Sequence, residues 1–309
     1  MSPDTTTRSP RNRGRATAWI IPVVVIVVLL IVLLAKFLRG LPAVHSFMLT
    51  YPGESALPAG APVGFPAWLA WQHLLNSFFI LFIVRTGWQI RGRRRPPAFW
   101  MRRNDGAIRT ARPPVRLGLS TWFHLAVDIL WALNGVVFFV LLFTTGQWTR
   151  VIPVHWDVFP NAISTGIQYA SLGWPTNDGW ANYNALQLLT YFATVFLAAP
   201  LALITGVRMA PGLAWRLRGL DRVFPLRVAR MIHVVVMFYF VGFVIVHVTL
   251  VLATNTLRNL NHMYAGRDDQ NWIGFALFAG SVVLMILLWV FARPPVLGRL
   301  AALTGTVRR

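Results

Sequence analysis

The chain contains no cysteine. That absence removes disulfides, cysteine-ligated zinc, iron–sulfur clusters, covalent haem attachment through a CxxCH motif and all thiol chemistry. Any metal held here is therefore held by histidine. Acidic residues are scarce too: nine Asp and Glu stand against 29 basic residues, of which 28 are Arg. Charged residues make up only 12% of the chain and hydrophobic ones 56%, and the apolar residues fall in long blocks. This composition excludes a water-soluble globular domain and places the chain among polytopic membrane proteins.

Six apolar segments are long enough to cross a hydrocarbon core of ~30 Å, which takes about 20 residues each. They cover residues 18–38, 67–90, 118–145, 185–208, 229–253 and 272–291. The first follows a basic arm, residues 1–17 with Arg8, Arg11, Arg13 and Arg15, and so resembles a signal peptide. Its length and the lack of a small-residue cleavage site predict an anchor instead.

A net charge of +20 raises the question of nucleic acid, but the distribution of Arg marks membrane sidedness. The connection between the second and third spans carries nine Arg, that between the fourth and fifth carries six, and the N-terminal arm and C-terminal tail carry four each. The other three connections hold one, one and two, together with Glu54, Asp157, Asp178, Asp268 and Asp269. The positive-inside rule then predicts a multi-pass plasma (inner) membrane protein with both termini cytoplasmic and no nucleic-acid partner. Lys36 and Arg39 run against this arrangement and are expected to reach lipid head groups by snorkelling. The two long outer connections, rich in Pro, Gly and Trp as in GWPTNDGW at 173–180, lack a periodic pattern and are expected to be ordered caps. Trp68, Trp71, Trp148, Trp174, Trp180 and Trp272 fit an aromatic belt at the membrane boundary.

Four of the seven histidines lie inside predicted spans: His73, His124, His233 and His247. An intramembrane histidine often serves only as an interhelical hydrogen-bonder. Depth distinguishes these four. With sidedness fixed, His73 lies six residues below the outer start of the second span and His247 six below the outer end of the fifth. His124 lies six residues above the inner start of the third span and His233 four above the inner start of the fifth. Each level thus pairs two imidazoles from different helices. On the fifth span the two levels are fourteen residues apart, ~21 Å along a helix. Zinc and copper sites gather three or four ligands in one cluster, whereas six-coordinate haem iron takes two axial histidines. Two haems fit this pattern better than two metal ions. Gly135 and Gly242 lie where a missing side chain would admit a flat macrocycle, although small residues also serve ordinary helix packing.

In this arrangement the chain resembles the dihaem cytochrome b subunits of bacterial respiratory oxidoreductases, a group that includes hydrogenase and formate dehydrogenase membrane subunits and prokaryotic cytochrome b561. The matching residues are His73 in WLAWQHLLN, His124 in TWFHLAVD, His233 and His247, with RTG at 85–87, TTG at 144–146 and ITG at 204–206. The resemblance covers residues 67–255. It implies an all-α membrane protein whose six transmembrane helices include a four-helix dihaem-binding core, two haem b, a quinone as diffusible carrier, and a catalytic oxidoreductase subunit as partner. A molybdopterin enzyme is favoured as that partner and a hydrogenase next. Residues 18–66 and 256–309 add one span each to the minimal core. A stand-alone transmembrane reductase and a haem-free, proton-coupled transporter remain as alternatives.

Other residues could serve the same sites. Asp128, the only acid within a predicted span, lies four residues after His124 on the same helix face. It reads as a partner of His124, as a step in proton uptake, or as an acid bonded to a neighbouring helix through Asn134. Asn76 has a weaker claim beside His73. Arg85, Arg116 and Arg230, near the inner surface, could pair with haem propionates or with phospholipid. His45, His155 and His262 fall in outer loops as exposed or capping residues, with His262 close enough to the outer pair to line a quinone or partner surface.

Overall fold

The computed structural model describes residues 19–92, 95–105, 109–111, 113–174, 178–213 and 218–308. The basic arm, Arg93, Arg94, Arg112, Arg216 and residues 175–177 of the GWPTNDGW segment lie outside the described residues. In chain order the elements are α1 (Ile20–Gly40), α2 (Pro42–Thr50), α3 (Ala67–Arg91), β1 (Phe99–Arg102), β2 (Arg116–Gly118), α4 (Leu119–Thr144), α5 (Val158–Ala170), α6 (Ala185–Met209), α7 (Leu226–Ala253), α8 (Thr256–Leu260), α9 (Ile273–Phe291), α10 (Pro294–Ala302) and β3 (Gly305–Arg308). Helices α1, α3, α4, α6, α7 and α9 are long and apolar enough to span a membrane. The protein is an all-α membrane protein.

Within those spans only 6–17% of the most apolar window is buried, so the large aliphatic side chains point outward. Water would not tolerate so much continuous apolar surface, and a bilayer requires it. Helix boundaries follow local chemistry. Leu41, which precedes Pro42, is extended (φ −74°, ψ 131°) because the proline ring disfavours the helical region for its predecessor, and this separates α1 from α2. Helix α7 begins at Leu226 after Pro225, three residues before the predicted span, and adds a turn with Arg227 to the apolar stretch. Helix α6 contains a π-helical turn at Ala193–Ala198 just before Pro200, whose missing N–H loosens the ladder there.

The chain forms two compact units. One comprises Met1–Ala56, Val154–Asp178 and Tyr183–Leu189, with a core of Val158, Ala162, Ala185 and Leu188. The other comprises Leu57–Pro153, Gly179–Asn182 and Thr190–Arg309. In the second unit α3 packs most extensively on α4, and α6 on α7. Phe79, Phe82 and Val127 fill the first seam, and Ala198, Val236 and Phe240 the second. Asn134 of α4 donates to Gln72 of α3 at 2.7 Å, an interhelical hydrogen bond worth about 1 kcal/mol in such a setting.

The connections expected as ordered caps contain helices that no periodic pattern had marked, α2 in one and the 13-residue α5 in the other. The Arg-rich connection between α3 and α4 contributes β1 and β2 to a three-stranded antiparallel sheet in the order β2-β1-β3, with Trp100 opposite Leu117 and Val307. Gly305 is required there, because a Cβ would lie 2.3 Å from the Trp100 indole nitrogen and 2.4 Å from the Met101 carbonyl. Arg39, expected at lipid head groups, donates to Ser171 at 2.9 Å. Of the belt tryptophans, Trp71 and Trp272 face outward, while Trp180 packs on Phe65 and His262.

Candidate cofactor-binding site

Helix α3 carries His73, α4 carries His124, and α7 carries both His233 and His247. The structure brings together the residues matched by depth. The ring centroids of His73 and His247 are 6.2 Å apart, and those of His124 and His233 are 6.4 Å apart. Two imidazoles ligating one metal from opposite sides, at about 2 Å per bond, place their ring centroids about 6 Å apart. Both pairs have that spacing. Among the described residues no three His, Asp or Glu side chains converge as a metal-ion site would require.

Hydrogen bonds fix the tautomer of the pair formed by His124 and His233. Thr86 Oγ1 lies 2.7 Å from His124 Nδ1 and gives its own proton to the Phe82 carbonyl at 2.7 Å. With its proton on a backbone carbonyl the hydroxyl accepts from Nδ1–H of His124, and the Nε2 lone pair then faces the opposite way, with Asp128 Oδ2 at 3.5 Å. Thr205 Oγ1 repeats the arrangement, 2.9 Å from His233 Nδ1 while donating to the Leu201 carbonyl. These threonines come from the RTG and ITG segments, which gives two of the three noted motifs a chemical role. In the third, Thr144 and Thr145 bond back to their own helix, and Gly146 (φ +74°) ends it. A Cβ at Gly87 or Gly206 would sit 3.6 Å from His124 Cε1 or 3.7 Å from His233 Cε1, so a bare backbone flanks each imidazole.

The outer pair is built differently. His73 Nδ1 is buried and has no hydrogen-bond partner among the described residues. Tyr264 meets the His73 ring edge-on at 5.7 Å, Tyr191 meets His247 edge-on at 6.2 Å, and Phe243 stacks on His247 at 5.4 Å. Tyr264 follows α8 in a π-helical turn over Asn261–Ala265. Burial pushes its phenol up from the usual value, with an opposing hydrogen bond to Ser281, so it remains a neutral donor. Neither tyrosine was singled out from sequence. The threonines lie five and four residues from their helix ends, at the depth of their histidines, a position that alone assigns them no role.

The remaining candidates divide clearly. Asp128 Oδ2 is 3.5 Å from His124 Nε2, and Asn134, its suggested alternative partner, bonds Gln72 instead. Asn76 donates to the Gln72 carbonyl of its own helix. Arg85 donates to the Trp289 and Ala292 carbonyls at 2.7 and 3.0 Å, capping the end of α9, and lies over the Trp289 ring. Arg116 stacks on Phe99, and Arg230 is exposed. His262 is buried, with Nε2 2.7 Å from Asp268 Oδ1, while Arg258 grips the same carboxylate. Those hydrogen bonds from Arg258 and His262 hold the Asp268 carboxyl down at about 2.

A Cβ at Gly135 or Gly242 would touch nothing within 4 Å, so close helix packing does not account for either glycine, and the space beside each is open. Two pairs of imidazoles at the ring separation that one metal bound from both sides requires, with bare backbone beside His124 and His233, fit a bis-histidine haem. Compared with protein-family models, curated proteins and solved structures, the chain matches none.

Proposed function

We propose that this protein is a b-type electron-transfer subunit with two haems, linking a catalytic oxidoreductase subunit to the membrane quinone pool. The observation that carries this reading is the pair of imidazole separations, 6.2 and 6.4 Å, on one helix that supplies half of each pair. His73 and His247 would hold one haem b, and His124 and His233 the other. When bound, each haem supplies a reversible one-electron iron couple tuned by ligand hydrogen bonds and burial.

The chain's own residues prepare both places. Thr86 and Thr205 hold their imidazoles with Nδ1 protonated and Nε2 available. Tyr264, Tyr191 and Phe243 wall the outer pair against water. Fourteen residues of α7 set the two levels ~21 Å apart, a span suited to carrying an electron across most of the bilayer. The basic connections lie on the cytoplasmic side, and substrate chemistry belongs to the partner, for which a molybdopterin enzyme is favoured over a hydrogenase.

A pyridine haemochrome assay on the purified chain tests this directly. The expected result is two haem b per chain, with split b-type bands in the reduced spectrum of the intact protein. A chain without haem overturns the reading and favours a proton-coupled transporter using the same histidines. Quinol-driven reduction of an outside acceptor by the purified chain alone would replace the subunit with a stand-alone reductase.

A further inference from the structure

Helix α5 leaves large apolar side chains uncovered. It buries the polar Asn161, Ser164 and Thr165, only 3%, 0% and 0% exposed, beside Val158 and Ala162, whereas Phe159 and Ile163 are 48% and 59% exposed and Trp156, just before the helix, is 82% exposed. No residue from Val158 to Ala170 is charged. The polar face holds the turn at Pro52 and Gly53 in place. Asn161 Oδ1 accepts the Gly53 N–H at 2.9 Å, Thr165 Oγ1 donates to the Gly53 carbonyl at 3.0 Å, and Gln168 donates to the Pro52 carbonyl at 2.9 Å. Gly53 itself (φ +117°) admits no side chain, because a Cβ would lie 2.8 Å from Thr165 Oγ1. Irregular backbone whose polar groups are all satisfied by protein is the kind that survives at membrane depth.

Depth can be read from α1. The Arg39–Ser171 hydrogen bond ties the residue just after α5 to the end of α1. From there an apolar cleft of about 270 Å³ runs along Leu38, Leu34 and Ile31 of α1, facing Ile163, Gly166 and Ile167 of α5. Ile31 precedes Gly40 by nine residues, ~14 Å along a helix that spans the membrane. Helix α5, with 13 residues, is ~20 Å long and too short to cross.

We propose that α5 is a non-spanning helix embedded in one leaflet, with its Phe159–Ile163 face and the cleft beside α1 occupied by lipid acyl chains and Trp156 anchoring it at the boundary. The absence of charge argues against water there, and the depth argues against a soluble partner. This inference is independent of the haem reading.

The lack of native cysteine makes the test direct, since single cysteines can be spin-labelled without background. Full-length F159C and I163C proteins are reconstituted into phosphatidylcholine vesicles, with V28C on α1 as the lipid reference and Q270C as the aqueous one. Power saturation then compares collisions with oxygen, which enters lipid, and with a water-soluble nickel chelate. Both test positions are expected to match V28C, with oxygen collisions dominant and nickel collisions lost. Nickel access like that of Q270C would show water and overturn the proposal. Exclusion of both reagents would show a protein cover and overturn it equally.

Discussion

The two histidine pairs share one helix and nearly one ring separation, yet their surroundings are opposite in kind. Around His124 and His233 both Nδ1 atoms meet threonine hydroxyls whose protons are already committed to backbone carbonyls. Around His73 and His247 the walls are aromatic, and Nδ1 of His73 has no partner among the described residues. A hydrogen bond from Nδ1–H makes the opposite nitrogen a stronger electron donor, which favours the oxidised metal. Low-polarity walls act through the dielectric instead and favour the less charged form. On the proposed reading, one ligand set would be tuned in two ways.

The strongest way to break this comparison is to remove the ligands. His124→Ala or His233→Ala should lose the inner haem, half of the total, while His73→Ala or His247→Ala should lose the outer one, read by pyridine haemochrome and redox titration. Loss of neither haem from one variant removes that residue from the ligand set. A smaller effect is expected from Thr86→Val combined with Thr205→Val. Retention of the inner haem should weaken on the order of 10- to 100-fold and its midpoint potential should rise, with the outer potential unmoved. Equal movement of both potentials would mean that the two environments are not separate.

Smaller again is Tyr264→Phe, which keeps the ring against His73 and removes the contact with Ser281. Haem content should stay constant while only the outer reduced band shifts. The smallest effect concerns Asp268, whose carboxyl is held at about 2 by Arg258 and His262. A depressed carboxyl stabilises the fold above its unfolded value near 4 and loses that contribution as pH falls toward 2. Partial exposure keeps the effect small. Hydrogen-exchange protection in 258–268, taken relative to the intrinsic rate at each pH, should fall across that window, and Asp268→Asn should flatten the response.

Hydropathy made the six spans legible because a bilayer penalises every other solution, and for four of them both predicted borders lie within one residue of the helix ends, those of α3, α4, α6 and α9. The same signal misses α5. At 13 residues it is too short to register as a span, and its apolar residues lie on both the buried and the exposed sides, so it shows no clean surface-helix pattern either. The sheet was equally hidden, since β1, β2 and β3 have only three or four residues each and their pairing partners lie far apart in the chain. At the site, histidine depth was legible from Arg placement and helix rise. The part played by Thr86 and Thr205 was not, because a threonine near a helix end has many uses, and only its carbonyl bond shows which proton is already committed.

The strand β3 adds a matter of timing. It pairs with β1 from beyond the sixth span, so the sheet begun in the connection between the second and third spans cannot close until the sixth has been made. During synthesis Phe99–Arg102 keeps an open edge until Gly305–Arg308 emerges. Closure of the sheet thus reports that the sixth spanning helix has ended on the same side of the membrane as the second.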